Sequence, residues 1–124
     1  MTIRCLLVDD NRRFLRTAKD LLERDQITVV GVASTSPQAL QQAAELHPDV
    51  VLIDIALGAE LGFDLARALT RTAPAPPRMI MVSAYLESDF ADMIATSPAI
   101  GFLSKTDLSG SAIQALVKDA DTAN

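Results

Sequence analysis

The stretch Arg4-Cys5-Leu6-Leu7-Val8-Asp9-Asp10-Asn11 decides how this chain is read. A short apolar run rich in branched side chains suits a strand buried on both faces. Two carboxylates then follow it at once. Four similar runs recur downstream, at residues 27–33, 50–53, 79–82 and 100–103. Between them the apolar residues take helical spacing. Phe14, Ala18, Leu21 and Leu22 share one face, then Leu40, Ala43 and Ala44, then Leu65, Ala66 and Leu69. Phe90, Met93 and Ile94 serve a fourth helix, and Leu108, Ala112, Ile113, Leu116 and Val117 a fifth. Ser36-Pro37 reads as an N-cap followed by proline at the first helical position. Five strand–helix units in succession argue for an α/β domain, a parallel sheet covered by helices on both faces with right-handed crossovers. The proline-rich piece at residues 73–77 reads as a loop inside that domain. Residues 1–118 are expected to form the domain, and 119–124, where the apolar pattern fades, a frayed tail.

Length and composition bound the function. The 124 residues suffice for one hydrophobic core without disulfides. The formal net charge of −5 speaks against nucleic-acid binding, which favours a basic face. Arg4, Arg12, Arg13 and Arg16 make the one basic cluster, read as a solvated helix face. A single cysteine, Cys5, excludes an internal disulfide framework and a cysteine-rich zinc site. A single histidine, His47, leaves no histidine metal site or triad. No apolar run has the length of a membrane span and no signal peptide is visible, so the expected location is cytoplasmic.

In an open α/β sheet, ligands gather beyond the carboxyl ends of the strands. Asp9 and Asp10 follow the first strand, Asp54 the third, Ser83 the fourth and Lys105 the fifth. Three clustered carboxylates repel one another by several kcal/mol per close pair, of order 4 kcal/mol at ~4 Å in a medium of intermediate dielectric. Such a cluster raises its own pKa values or recruits a cation. Oxygen ligands suit a hard dication, and Mg²⁺ in particular when a phosphate shares it. With Lys105 to pair an anion and Ser83 to donate a hydroxyl, the set fits phosphoryl transfer to an aspartate.

Val8-Asp9-Asp10-Asn11, Leu52-Ile53-Asp54-Ile55, Val82-Ser83-Ala84 and Gly101-Phe102-Leu103-Ser104-Lys105 together resemble the receiver domains of two-component response regulators. The resemblance spans essentially the whole chain. The piece from Gly101 to Asp107 looks most like the subgroup with a C-terminal helix-turn-helix output domain, which ties it to transcription regulation. The fold so implied is flavodoxin-like, a doubly wound (βα)5 sheet with strand order 2-1-3-4-5. The resemblance implies Asp54 as the phosphorylated residue. It implies Asp10 as a direct Mg²⁺ ligand, Asp9 as a ligand through water, and the backbone carbonyl of Ala56 as a further ligand beside Asp54. Lys105 matches the phosphoryl-pairing lysine, Ser83 the switch hydroxyl, Phe102 the switch aromatic, and Gly62 the glycine after the acceptor strand. Ala56 and Tyr85 occupy positions that tune phosphoryl lifetime, with Tyr85 a shield against water.

Two departures stand out. Gly58 and Thr106 stand where many receivers carry proline. The implied partners are a sensor histidine kinase and an output domain absent from this chain, with a homodimer on phosphorylation as one outcome. The implied activity is that of a phospho-acceptor assisting only its own phosphorylation and dephosphorylation, not an enzyme acting on other molecules. A pseudo-receiver, the same fold used for protein contacts alone, is the alternative, disfavoured by the intact acidic, hydroxyl and lysine set. A small-molecule phosphatase typically places an acid two residues after its nucleophile, and here Ala56 stands there. No phosphate-cradling glycine loop follows the first strand, which speaks against nucleotide binding.

Overall fold

The computed structural model describes residues 2–122. Five strands, β1 (Arg4–Val8), β2 (Thr28–Ala33), β3 (Val50–Asp54), β4 (Arg78–Ser83) and β5 (Gly101–Ser104), form one sheet. All neighbours pair in parallel, in the order β2-β1-β3-β4-β5. The helices are α1 (Arg12–Arg24), α2 (Ser36–Leu46), α3 (Gly62–Thr72), α4 (Ala91–Ala95) and α5 (Gly110–Thr122).

Strand alternation splits the core into two layers. Leu6, Val8, Val51, Ile53, Met79 and Met81 pack with Ala39 of α2 and with Phe63, Leu65, Ala66 and Leu69 of α3. Their neighbours Cys5, Leu7, Val50, Leu52, Ile80 and Val82 pack on the opposite face with Leu15, Ala18 and Leu22 of α1 and Ile113 of α5. The central strand β3 is buried at every position, which is why its sequence is continuously apolar until Asp54.

Several local expectations are corrected. The N-cap of α2 is Thr35, whose hydroxyl accepts from the Gln38 amide; Ser36 is already helical. Arg4 is not part of a basic helix face. Its guanidinium donates to the carbonyls of Leu46 and His47 and so ties β1 to the open end of α2. The fourth helix is short. A 3₁₀ turn, Glu87–Phe90, precedes the five residues of α4, and neither piece buries a residue fully. The loop after β3 holds an unanticipated hairpin, Ala56–Leu57 against Glu60–Leu61. Its first turn residue, Gly58, has φ +61°, which proline cannot adopt and glycine takes freely. The apolar pattern fades at Asp119, but α5 continues through Thr122, and Asp121 pairs with Arg78 at the start of β4. Residues 123 and 124 of the expected tail lie outside the described residues.

Candidate functional site

Parallel strands all present their carboxyl ends to one edge of the sheet. β1 delivers Asp9 and Asp10 there, β3 delivers Asp54, β4 delivers Ser83, and the turn after β5 delivers Lys105. Asp9, Asp54 and Ser83 are 1%, 6% and 1% exposed, whereas Asp10 lies open to solvent. Carboxylate oxygens of Asp9, Asp10 and Asp54 lie within 4.8 Å of one another. The Lys105 ammonium stands 2.7 Å from Asp9 Oδ2 and 3.4 Å from Asp54 Oδ2.

Backbone amides hold the other oxygens. Asp9 Oδ1 accepts from the Asn11 amide at 2.8 Å, Asp54 Oδ1 from Ala56 at 3.2 Å and Asp10 Oδ2 from Gly58 at 3.2 Å. Asp9 Oδ2 is buried, and its partner is the Lys105 ammonium at 2.7 Å. Ser83 Oγ accepts from the Tyr85 amide at 2.9 Å, which leaves the hydroxyl proton free to donate.

Burial pushes Asp54 up to about 6, and the neighbouring Asp9 charge adds to this, against the opposing pull of Lys105 and the Ala56 amide. Burial pulls the Lys105 ammonium down, but its contact with Asp9 and the charges of Asp54 and Asp9 outweigh that, and its pKa lies above the ordinary lysine value. Three carboxylates and one ammonium leave two negative charges when all are ionised. That excess, with all-oxygen donors, fits a hard dication such as Mg²⁺.

The remaining predicted residues lie around this cluster. Gly62 opens α3 and packs against the acceptor strand; a Cβ on it would fall 2.2 Å from the Asp54 carbonyl oxygen. Phe102 is half-buried in β5 and packs against the core layer that α2 and α3 cover, as Phe90 and Ile94 also do. Tyr85 is 63% exposed and leans edge-on against Phe90, so a shielding action on Asp54 requires the ring to move. Thr106 forms part of a 3₁₀ turn, Lys105–Asp107, and its amide donates to Ser104 Oγ at 3.3 Å. Proline there would lack that donor. The apolar spacing places Phe14 on the core face of α1, yet its ring centroid lies 4.3 Å from Lys105 Nζ. The signal was its place on α1, one turn beyond the Asp pair, because helical side chains lean back toward the N-terminus and here toward the strand ends.

Comparison with known proteins gives the family. The family model for the response regulator receiver domain matches residues 5–118, and the chain belongs to that family. It is 38% identical over 86 residues to a protein-glutamate methylesterase/protein-glutamine glutaminase of Alkalilimnicola ehrlichii, covering 68% of this chain and 22% of the relative. It is 33% identical over 105 residues to the response regulator GacA of Pseudomonas viridiflava, covering 83% of this chain and 48% of GacA. Its structure superposes with a TM-score of 0.80 and 27% identity on the signal receiver domain of the putative response regulator NarL from Mycobacterium tuberculosis, covering 99% and 98% of the two chains. Set against those two curated relatives, the chain spans between 22% and 48% of their length. No described helix is long and apolar enough to cross a membrane.

Proposed function

We propose that the chain forms a phosphorylation-controlled receiver unit, expected from the sequence at residues 1–118 and extended by the last turn of α5, whose acceptor is Asp54. One observation carries the reading: a buried carboxylate at the end of the central strand faces a lysine ammonium at 3.4 Å and two further carboxylates within 4.8 Å. An oxygen of Asp54 attacks the phosphorus of a phosphohistidine on a sensor kinase. The P–N bond breaks, its electron pair returns to the imidazole, which takes a proton from water, and an aspartyl acyl phosphate remains. Asp10, Asp54 and the Ala56 carbonyl would hold Mg²⁺ directly, with Asp9 acting through water. The ion supplies charge neutralisation at the transferring phosphoryl group.

Lys105 stands ready to pair with a phosphoryl oxygen, and the free proton of Ser83 Oγ is available to donate to one. Movement of Ser83 draws the loop carrying Tyr85 with it through their hydrogen bond, and Phe102 turns inward as that loop leaves. The shallow seating of the 3₁₀ turn and α4 makes them the most easily displaced element, so the face of α4, β5 and α5 carries the signal. An output domain, a partner or a second copy would read it. The chain acts as a switch in the cytoplasm, where its kinase delivers the phosphoryl group, and assists only its own phosphorylation and dephosphorylation.

Intact-mass measurement after incubation with acetyl phosphate and Mg²⁺ tests this. The expected result is one phosphoryl adduct on the wild type, absent without Mg²⁺ and absent in Asp54→Ala. An adduct that persists in Asp54→Ala moves the acceptor elsewhere. No adduct and no Mg²⁺ binding leaves a protein-interaction module with a receiver fold.

A further inference from the structure

We propose that Phe14 is a positioning residue for Lys105, its ring face holding the lysine ammonium over the acceptor carboxylates. The inference rests on the reading of Asp54 as acceptor. Lysine is a point charge on a flexible four-carbon stem, and it extends into water unless something holds it. Here the side chain is 17% exposed, so it is held. Two of the holding groups are Asp9 and Asp54, the same oxygens that a cation or a phosphoryl group would engage. The Phe14 ring is a third, with its centroid 4.3 Å from Nζ, inside the range in which a ring quadrupole attracts a cation. Unlike the carboxylates, the ring is neither a metal ligand nor the phosphoryl acceptor. As Asp54 becomes an acyl phosphate, the ammonium must turn from carboxylate to phosphoryl oxygen, and a ring face lets it do so without escaping to solvent.

The ring is itself well placed. Phe14 is the third residue of α1, and its amide donates to the capping Asn11 side chain at 3.1 Å. Its side chain is half-buried against the α1–α5 core layer and lines a narrow cavity with Asp9, Asp54 and Val82. Asp9 and Asn11 are also joined, through the Asn11 amide, so cap, ring and acidic cluster share one short stretch of backbone.

The test separates ring electrostatics from packing. Mono-, di- and trifluorophenylalanine are placed at position 14 alone, which nearly preserves ring size while draining the negative ring face. The rate of phosphorylation by acetyl phosphate should fall stepwise, by roughly three- to tenfold at the trifluoro ring, with an unchanged thermal midpoint. Phe14→Tyr should keep the wild-type rate and Phe14→Leu should lose as much as the trifluoro ring. A second readout needs no phosphoryl group: the Lys105 side-chain methylene protons should be ring-current shifted in the wild type and lose that shift in Phe14→Leu. A flat rate along the fluorinated series, with the ring-current shift present, reduces Phe14 to packing and overturns the proposal. Absence of the shift overturns the contact itself. A wild-type protein that takes no phosphoryl group fails at the acceptor reading, before any variant is compared, and takes this role with it.

Discussion

Gly62→Ala sets two opposing effects against each other. Gly62 is the first residue of α3, and glycine in a helix is ordinarily worse than alanine by about 0.5–1 kcal/mol. Propensity alone therefore says that the substitution stabilises. The packing says otherwise. A Cβ would lie 2.2 Å from the Asp54 carbonyl oxygen, 2.7 Å from Ile53 Cγ2 and 3.1 Å from the Asp54 carbonyl carbon. Relief requires roughly 1 Å of movement, and neither side yields cheaply. Asp54 belongs to a strand paired on both sides, and the Gly62 amide is bonded to the Ile55 carbonyl at 2.7 Å. Overpacking of a well-packed core costs about 1–3 kcal/mol, and backbone on both sides of the clash puts this case at the upper end. The net expectation is a loss of about 2 kcal/mol. With a urea m-value of about 1–3 kcal/mol/M for a domain of this size, the unfolding midpoint should fall by roughly 1 M at unchanged m. A variant as stable as wild type, or more so, would mean that propensity wins. It would refute the close approach of α3 to the acceptor strand, and with it the placement of the Asp54 backbone.

Other perturbations probe the site and its frame. Asp54 has an ordinary value of 3.8 and is raised to about 6 when folded, so the folded state holds its proton more tightly than the unfolded chain. Stability contributed by this group therefore falls as pH rises from about 4 to about 6, and the penalty stands in full above that. In metal-free buffer, Asp54→Asn should be about 1–2 kcal/mol more stable than wild type at pH 7.5 and no more stable below pH 4; a pH-independent difference in urea titrations would contradict this. Thr106→Pro removes the amide that donates to Ser104 Oγ and disfavours the helical backbone of Lys105, so it should cost about 1–2 kcal/mol and slow phosphorylation as Lys105 is re-aimed. Wild-type kinetics and stability would show that this turn tolerates proline. Asp25→Ala should cost about 1–2 kcal/mol in thermal unfolding, because the Gly110 amide that opens α5 donates to Asp25 Oδ2 at 2.7 Å and is left without its acceptor. A change under about 0.5 kcal/mol would mean that water replaces the carboxylate at no cost.

The order of elements in this protein was legible in one dimension. Continuous apolar runs the length of strands, alternating with helical spacing, demand a sheet buried on both faces, and parallel strands must all end on one edge. That is enough to bring Asp9, Asp10, Asp54, Ser83 and Lys105 together without any distance being known. Places where local propensity is weak were not legible. The pattern of Phe90, Met93 and Ile94 suggests a full helix, but too little apolar surface is buried to extend it beyond one α-helical turn after a 3₁₀ turn. The choice of Thr35 over Ser36 as cap turned on one residue of register between two adjacent hydroxyls, against the slight preference for serine. Only the tertiary structure decided what touches Lys105, since the ring of Phe14 reaches it across the sheet edge from a helix some ninety residues earlier in the chain. Only it explained Gly58 and Gly62, one by a positive φ and the other by the close approach of a carbonyl. Periodicity reports which face of an element is apolar and therefore where it must lie. It carries no record of which side chains meet across elements, because those contacts are set by packing distances that exist only once the layers have closed.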